Sequence, residues 1–361
     1  MASLARQIVR DALRIRDKER IWIHSWNHTE DLAHEIAQQA HLHGASVTIS
    51  SMSELLLTHL LKKAPLEAVT TPPTHWFHGV SKSSAFIMLE GPEDPGIFRT
   101  ADKGKVLAAC GHFVRLLGTA YLHHVRTLHV RMTGFTEKAA KTYGVNHANL
   151  MQEANRCLAV NQAAMVGIGK QFDSLLRKYR EIHLSSSEGS DLRFRTRGTP
   201  IIDDGIIDQE DIRSKNVFAQ LPAGTISMPI DESSAEGTVV FNLPRPFLGD
   251  TVQNLRLDFK KGQITSLRAL KGENSFEQAI RLGMGAKDRL TRLTFGINPN
   301  ASTALGQPTD ELIPGTLTLG LGDNTFIGGK SQSNFHFENT LNDAIVSIGP
   351  TAVIMEGKLS F

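Results

Sequence analysis

The sequence predicts two domains, an N-terminal α/β domain with a parallel sheet and a C-terminal β-rich α+β domain. Three observations predict this. At 361 residues the chain exceeds one ordinary domain. The first half alternates short apolar strands with connections of helix length, and such connections join parallel strands. From about residue 180 the texture shifts to alternating β-rich segments broken by glycine, proline and Asx turns. The spacing places one domain at 1–165 and the other at 166–361, with helical segments over 148–180 linking them.

In chain order, residues 3–15 read as an amphipathic helix, with Leu4, Ile8, Leu13 and Ile15 as its apolar positions. RIWIHS (20–25) is a strand. EDLAHEIAQQAHLHGA (30–45) is a helix with Leu32, Ile36, Ala37 and Ala40 on one stripe and Gly44 as its cap. ASVTIS (45–50), SAFIMLEG (84–91) and TLHVRMTG (127–134) supply further buried strands. In the second half, LRLDFKKGQITSLRAL is a hairpin turning at Gly262, and SFEQAIRLGMGA (275–286) is an inserted helix. TAVIMEGKLSF, at the end of the sequence, is expected to pair in a sheet, because Val353, Ile354, Leu359 and Phe361 are costly to expose.

Composition narrows the function. Hydrophobic residues make up 40% and charged residues 21%, an ordinary globular balance. A net charge of +2 lacks the general positive field of a nucleic-acid binder. Cys110 and Cys157 are too few for a disulfide scaffold and read as reduced thiols. No run approaches the roughly 18 apolar residues of a membrane span, and the charged N-terminus lacks a signal-peptide core, so a cytoplasmic protein without membrane contact is expected.

Several local patterns carry little chemistry. SWNHTED, after the first strand, has neither GxGxxG nor a P-loop, so a phosphate cradle is unsupported. Trp26 near that strand end reads as a packing residue. HLSSSEGSD (183–191) is a strand running into a turn. Cys110 and His112, two apart on a helix, do not face each other. Among the fifteen histidines, most are expected to pack or face solvent. The pair that stands out is in SNFHFEN: His336 and Glu338 project from one face of an extended segment and could share a metal ion.

Taken together, EGSDLRFRTRGTPIIDDG, NVFAQLPAGTISMPIDESSAEGTVVFN, NLRLDFKKGQITSLRA, RLTFGINPNA, PGTLTLGLGDNTFIGG and HFEN, in this order, resemble the aminopeptidase T-like metallopeptidases and their relatives, the dihydroxypyridine dioxygenases. The first half fits as well through KERIWIHS and LAHEIAQQAHLHGASVTIS, so the resemblance covers most of the chain. It implies the aminopeptidase T-like fold and a homodimer. It also implies a two-metal site whose ligands are two glutamates, two histidines, a tyrosine and an aspartate, able to polarise a carbonyl and generate hydroxide.

Position by position, this sequence departs from that set. Thr225 in LPAGT stands where the first glutamate is implied, and Arg292 in RLTFGINP where the second is. Thr318 stands for the first histidine and Thr325 for the tyrosine. His336 matches the second histidine, and Glu338 replaces the aspartate. A threonine hydroxyl is a weak neutral donor to a divalent metal. Arg292 is a permanent cation, and a +1/+2 pair about 4 Å apart at an effective dielectric of about 20 is repelled by roughly 8 kcal/mol. Arg292 is therefore expected to pair with Glu338.

Three readings follow. In the first, the chain is a catalytically silent member that binds a peptide or small amino-acid-like ligand in the former active-site cleft. It needs no metal, and Arg292, His336, Glu338, Thr225, Thr318 and Thr325 line the site. It would serve as an accessory protein of a peptide-modifying, natural-product pathway. In the second, His336 and Glu338 hold one divalent metal, iron or zinc, as two legs of a triad. No histidine lies between His183 and His336, so the third leg would come from His24, His28 or His112. In the third, a metallopeptidase uses relocated carboxylates, Asp231, Glu232, Glu236 or Asp323. Lys287 and Arg289, beside Arg292, would add positive potential to the cleft.

Overall fold

The computed structural model describes residues 3–159 and 162–361. It falls into two compact units, Met1–His147 with Gly205–Pro222, and Ala148–Asp204 with Ala223–Phe361. This differs from a single division at 165/166. The helices His147–Leu158 and Gln162–Lys178 pack with the β-rich unit, and Phe218–Leu221 returns to pair in parallel with Arg126–Val130. Val160 and Asn161 of the expected link lie outside the described residues.

The first unit is built on a five-stranded parallel sheet. Its order is Ser46–Met52, Arg20–Trp26, Ala85–Leu89, Arg126–Val130, Phe218–Leu221. Ala85–Leu89 is buried at every position, as expected of a strand covered on both faces. The expected helix Glu30–Leu42 buries Ala33, Ile36, Ala37 and Ala40. The segment expected as a helix over 3–15 is instead a short α-turn, Leu4–Arg6, followed by a π-helical stretch, Gln7–Ala12. The wider turn lets Leu13 N–H reach the Ile8 carbonyl (3.0 Å), with both side chains fully buried.

His24 sits in the aromatic core of this unit. Its ring lies 5.2 Å from those of Trp76 and Phe113 and 6.2 Å from Trp26, and its Nδ1 meets Ser50 Oγ at 3.1 Å. Trp26 is the last residue of its strand and is 4% exposed, as expected of packing.

Among the described residues the second unit carries two main antiparallel sheets and a two-stranded ribbon, Arg245–Phe247 with Asp250–Val252. The larger runs Gln263–Arg268, Leu255–Lys260, Glu236–Phe241, Asp191–Arg195, Glu181–Ser185, Ile345–Ile348, Thr351–Met355, Lys358–Leu359. Its expected hairpin turns at Lys261 and Gly262, both left-handed (φ 50° and 76°). A Cβ on Gly262 would lie 1.7 Å from the Glu232 carbonyl oxygen, so only glycine fits. The inserted helix runs Glu273–Leu282, ending earlier than expected at Gly283, the C-cap residue. The final segment pairs as expected, with Val353 and Ile354 fully buried; Phe361, though 43% exposed, packs edge-on against Phe172.

The smaller sheet runs His336–Leu341, Leu317–Gly322, Leu290–Gly296, Thr225–Pro229, Ile201–Asp203. One face is apolar: Phe295 stacks on Phe172 of helix Gln162–Lys178, with centroids 4.4 Å apart. Along the edge strand, Phe337 joins Phe247, Phe276 and Phe335 in an aromatic cluster. Among the described residues no helix is long and apolar enough to cross a membrane.

Burial pushes the His24 imidazole down from 6.5 to about 4. Between those values the unfolded chain binds a proton that the folded chain does not. The stability this neutral histidine contributes is complete above pH 6.5 and lost as pH falls toward 4, an amount of about 3 kcal/mol. His24→Phe should flatten that part of the acid limb in urea unfolding of the first unit. An unchanged acid limb would show that His24 does not carry the effect.

Candidate functional site

Strand alternation sets the site. Residues opposite one another across an antiparallel pair share a face, and so do residues two apart on one strand. One row across the smaller sheet is Pro229, Arg292, Gly320, Glu338. The next row is Ser227, Thr294, Thr318, Thr340. Thr225 lies one step further, opposite Gly296 and Asp203, and His336 one step the other way, opposite Gly322. The face opposite Phe295 is thus almost wholly polar.

Arg292 and Glu338 lie on strands that are not neighbours, separated by the strand carrying Gly320. They meet because Gly320 has no side chain. A Cβ there would lie 3.0 Å from Arg292 Cβ and 3.4 Å from Glu338 Cγ. Arg292 Nη1 donates to Glu338 Oε1, and Nη2 donates to Ser227 Oγ at 3.0 Å. The guanidinium carbon stands 5.2 Å from the centre of the Phe326 ring, a cation–π contact. Arg292 is 6% exposed and Glu338 7%, so the pair is desolvated. The sequence expectation that these two side chains pair is met by the geometry.

The remaining residues divide by what they touch. Thr318 and Thr340 hydroxyls bond each other at 2.7 Å, and those of Ser227 and Thr294 at 3.0 Å. Thr225 is 1% exposed at the start of its strand. His336 Nδ1 meets the Asp323 carbonyl at 3.2 Å, while its Nε2 is 3.6 Å from Glu338 Oε1, near but beyond a hydrogen bond. Thr325 is drawn away, since its hydroxyl donates to Asp323 Oδ1 at 2.7 Å. The residue of that turn which meets Arg292 and His336 is Phe326. Ser227, Thr294, Thr340, Gly320 and Phe326 were not singled out from the sequence. The first three lie two residues from Thr225, Arg292 and Glu338, so the period of two could have found them.

The site's loop is held by two side chains. Asp323 accepts from the Thr325 and Ser333 backbone N–H groups at 2.9 and 3.1 Å. Asn324 donates to the Thr291 carbonyl at 2.8 Å and accepts from Ser331 N–H at 2.9 Å. That fixes the bulge at Thr291, just before Arg292.

The donor set does not fit a divalent metal. His336 and Glu338 are one imidazole and one carboxylate, and Arg292 already holds the carboxylate. Among the described residues no three His, Cys, Asp or Glu side chains form a group that could hold a metal ion. His28 Nε2 meets the Thr133 carbonyl at 3.1 Å, and His112 Nε2 the Val69 carbonyl at 2.8 Å, both within the first unit. The other carboxylates serve turns and ion pairs. Asp231 accepts from the Ser233 hydroxyl, which with Arg197 and Arg195 keeps its carboxyl below the usual range; burial opposes them. Glu232 accepts from Ser331 Oγ and Glu236 from Lys261 N–H. Lys287 and Arg289 donate to backbone carbonyls, Arg281 for the first and Glu232 and Lys261 for the second.

Other nucleophile patterns also resolve as structure. Burial pushes the Cys110 thiol up to about 12 and Cys157 up to about 11, the wrong direction for a thiolate nucleophile. His183 pairs with Asp191 across two neighbouring inner strands of the larger sheet, on its exposed surface. The helix after the first strand opens with Glu30 and Asp31, the wrong charge for phosphate.

Removing one member of the buried pair strands the other charge. Arg292→Leu or Glu338→Leu alone should lower the unfolding free energy by about 3–5 kcal/mol. The double variant should cost less than either single, as read by urea unfolding. Additive single costs would show that the two side chains do not act as a pair.

The comparisons with known proteins agree with this fold. The family described as thermophilic metalloprotease (M29) matches residues 167–294. The solved structure of wild-type AmpT from Thermus thermophilus superposes with a TM-score of 0.73 at 17% identity, covering 99% of this chain and 98% of that one. The structure of 2,5-dihydroxypyridine dioxygenase from Pseudomonas putida KT2440 superposes with a TM-score of 0.61 at 14% identity, covering 96% of this chain and 93% of that one. A search of curated protein sequences finds no match. The chain has the fold shared by AmpT and this dioxygenase, with the thermophilic metalloprotease match in residues 167–294.

Proposed function

We propose that the chain is a catalytically silent relative of the aminopeptidase T-like proteins. It binds a peptide or small amino-acid-like ligand on the polar face of its smaller sheet and does not hydrolyse it. One observation carries this reading: Arg292, which the resemblance aligns with a metal ligand, neutralises Glu338, so His336 is left as a lone imidazole among hydroxyls. Such a face can orient amides and hydroxyls. Neither metal-activated water nor a Ser–His arrangement is available on it to attack a carbonyl. A role as accessory protein in a peptide-modifying pathway, as a cytoplasmic homodimer, fits a binding function on a peptidase fold. Among the described residues nothing supplies the third ligand that a single-metal iron or zinc enzyme would need, so that alternative is not favoured.

The test combines metal analysis with ligand recovery. After exposure to zinc, manganese and iron(II) and desalting, elemental mass spectrometry should find far less than one metal per chain. A panel of peptides and aminoacyl amides should be recovered uncut, and mass spectrometry of denatured protein should detect co-purified peptides or amino-acid derivatives. Near-stoichiometric metal that His336→Ala abolishes, or metal-dependent release of N-terminal residues, would overturn the reading.

A further inference from the structure

One nitrogen of the Arg292 guanidinium has no partner. Its Nη1 serves Glu338 and its Nη2 serves Ser227, while its Nε is buried and makes no hydrogen bond. Buried N–H groups are almost always paired, because leaving one unpaired forfeits its hydration. One face of the guanidinium lies against Phe326, so a partner for Nε arrives edge-on, in the guanidinium plane.

Charge selects the partner. Glu338 already compensates Arg292, and both are desolvated. A carboxylate brought to Nε would sit within the span of one guanidinium from Glu338, where like charges repel in a low-dielectric site. A neutral carbonyl oxygen meets the same N–H without that repulsion. The neighbouring hydroxyls of Ser227 and Thr294 both donate and accept, which suits the N–H and C=O of an amide. From the proposed reading that this face takes a ligand, the geometry points to Arg292 Nε as the donor that orients an amide carbonyl oxygen of that ligand. The site then discriminates for amides over free carboxylates, and Arg292 is a specificity-determining residue.

Nitrogen–proton correlation NMR of the arginine Nε–H signals in the full-length protein tests this, with the Arg292 signal assigned by its loss in Arg292→Lys. The probes are N-acetyl amino-acid methylamides with apolar, polar and charged side chains, and the matched N-acetyl amino acids carrying a free carboxylate. The Arg292 signal should move saturably with at least one methylamide, at a midpoint at least about tenfold below that of its matched acid. Arg292→Lys keeps a cation for Glu338 but lacks Nε, and should bind that methylamide about tenfold more weakly. If that variant does not fold, the Arg292 signal is assigned instead by its through-space contacts with the Phe326 ring, and the wild-type titration decides. No movement with any methylamide, a preference for the acid, or a ligand-free signal showing direct transfer to a trapped water each overturns the inference. Binding reported by signals elsewhere, with Arg292 Nε unmoved, would sink this inference and leave the binding reading standing. Release of methylamine would instead sink the binding reading.

Discussion

The smaller sheet is organised around a single constraint, a permanent cation buried at its centre. Arg292 cannot shed its proton, so the fold must supply compensation at that point. Glu338 supplies the charge, Ser227 an acceptor, and Phe326 a π-face. None of these is a neighbour of Arg292 in sequence, and Glu338 is not even on an adjacent strand. The pair reaches across the intervening Gly320, where a Cβ would crowd both side chains. An isolated buried ion pair rarely adds stability over apolar residues of similar volume, whereas breaking one is costly. Its presence therefore speaks for a constraint on what this face does rather than for added stability.

The rest of the second unit keeps that row in register. The opposite face of the same sheet is apolar and anchored by Phe172 on Phe295, so a one-residue slip would turn Arg292 into that apolar layer and Phe295 onto the polar face. Asn324 pins the bulge that precedes Arg292, and Asp323 holds the turn that delivers Phe326. Asn298, fully buried, donates to the carbonyls of Cys157 and Ala223, tying the loop after Leu290–Gly296 to helix His147–Leu158 and to the approach to Thr225. Precision in the row is thus set by loop side chains as much as by the strands.

Fold and chemistry separate cleanly here. The chain superposes along nearly its whole length on AmpT and on a dioxygenase, two proteins whose names denote different reactions. A shared scaffold does not choose between activities, since chemistry resides in the few side chains on one face of one sheet. In this chain that face carries hydroxyls, one imidazole and a neutralised ion pair.

Much of the architecture was legible in the sequence. The strand–helix–strand rhythm around RIWIHS and ASVTIS gave the parallel sheet, and KKG gave the hairpin, because periodicity and left-handed turn positions are local properties. The helix expected over 3–15 widened into a π-helical stretch because burial of both Ile8 and Leu13 overrode local propensity. The division of the chain was not legible at a single boundary, since the pairing of Phe218–Leu221 with Arg126–Val130 joins segments far apart in sequence. By itself the sequence determined which residue types stand at the site, Thr225, Arg292, Thr318, His336 and Glu338, and hence the charges that any fold would have to satisfy. Only the tertiary structure decided that Gly320 lets Arg292 reach Glu338, that Thr325 turns aside toward Asp323, and that Arg292 Nε is left without a partner. These depend on register across non-adjacent strands, which no local pattern encodes.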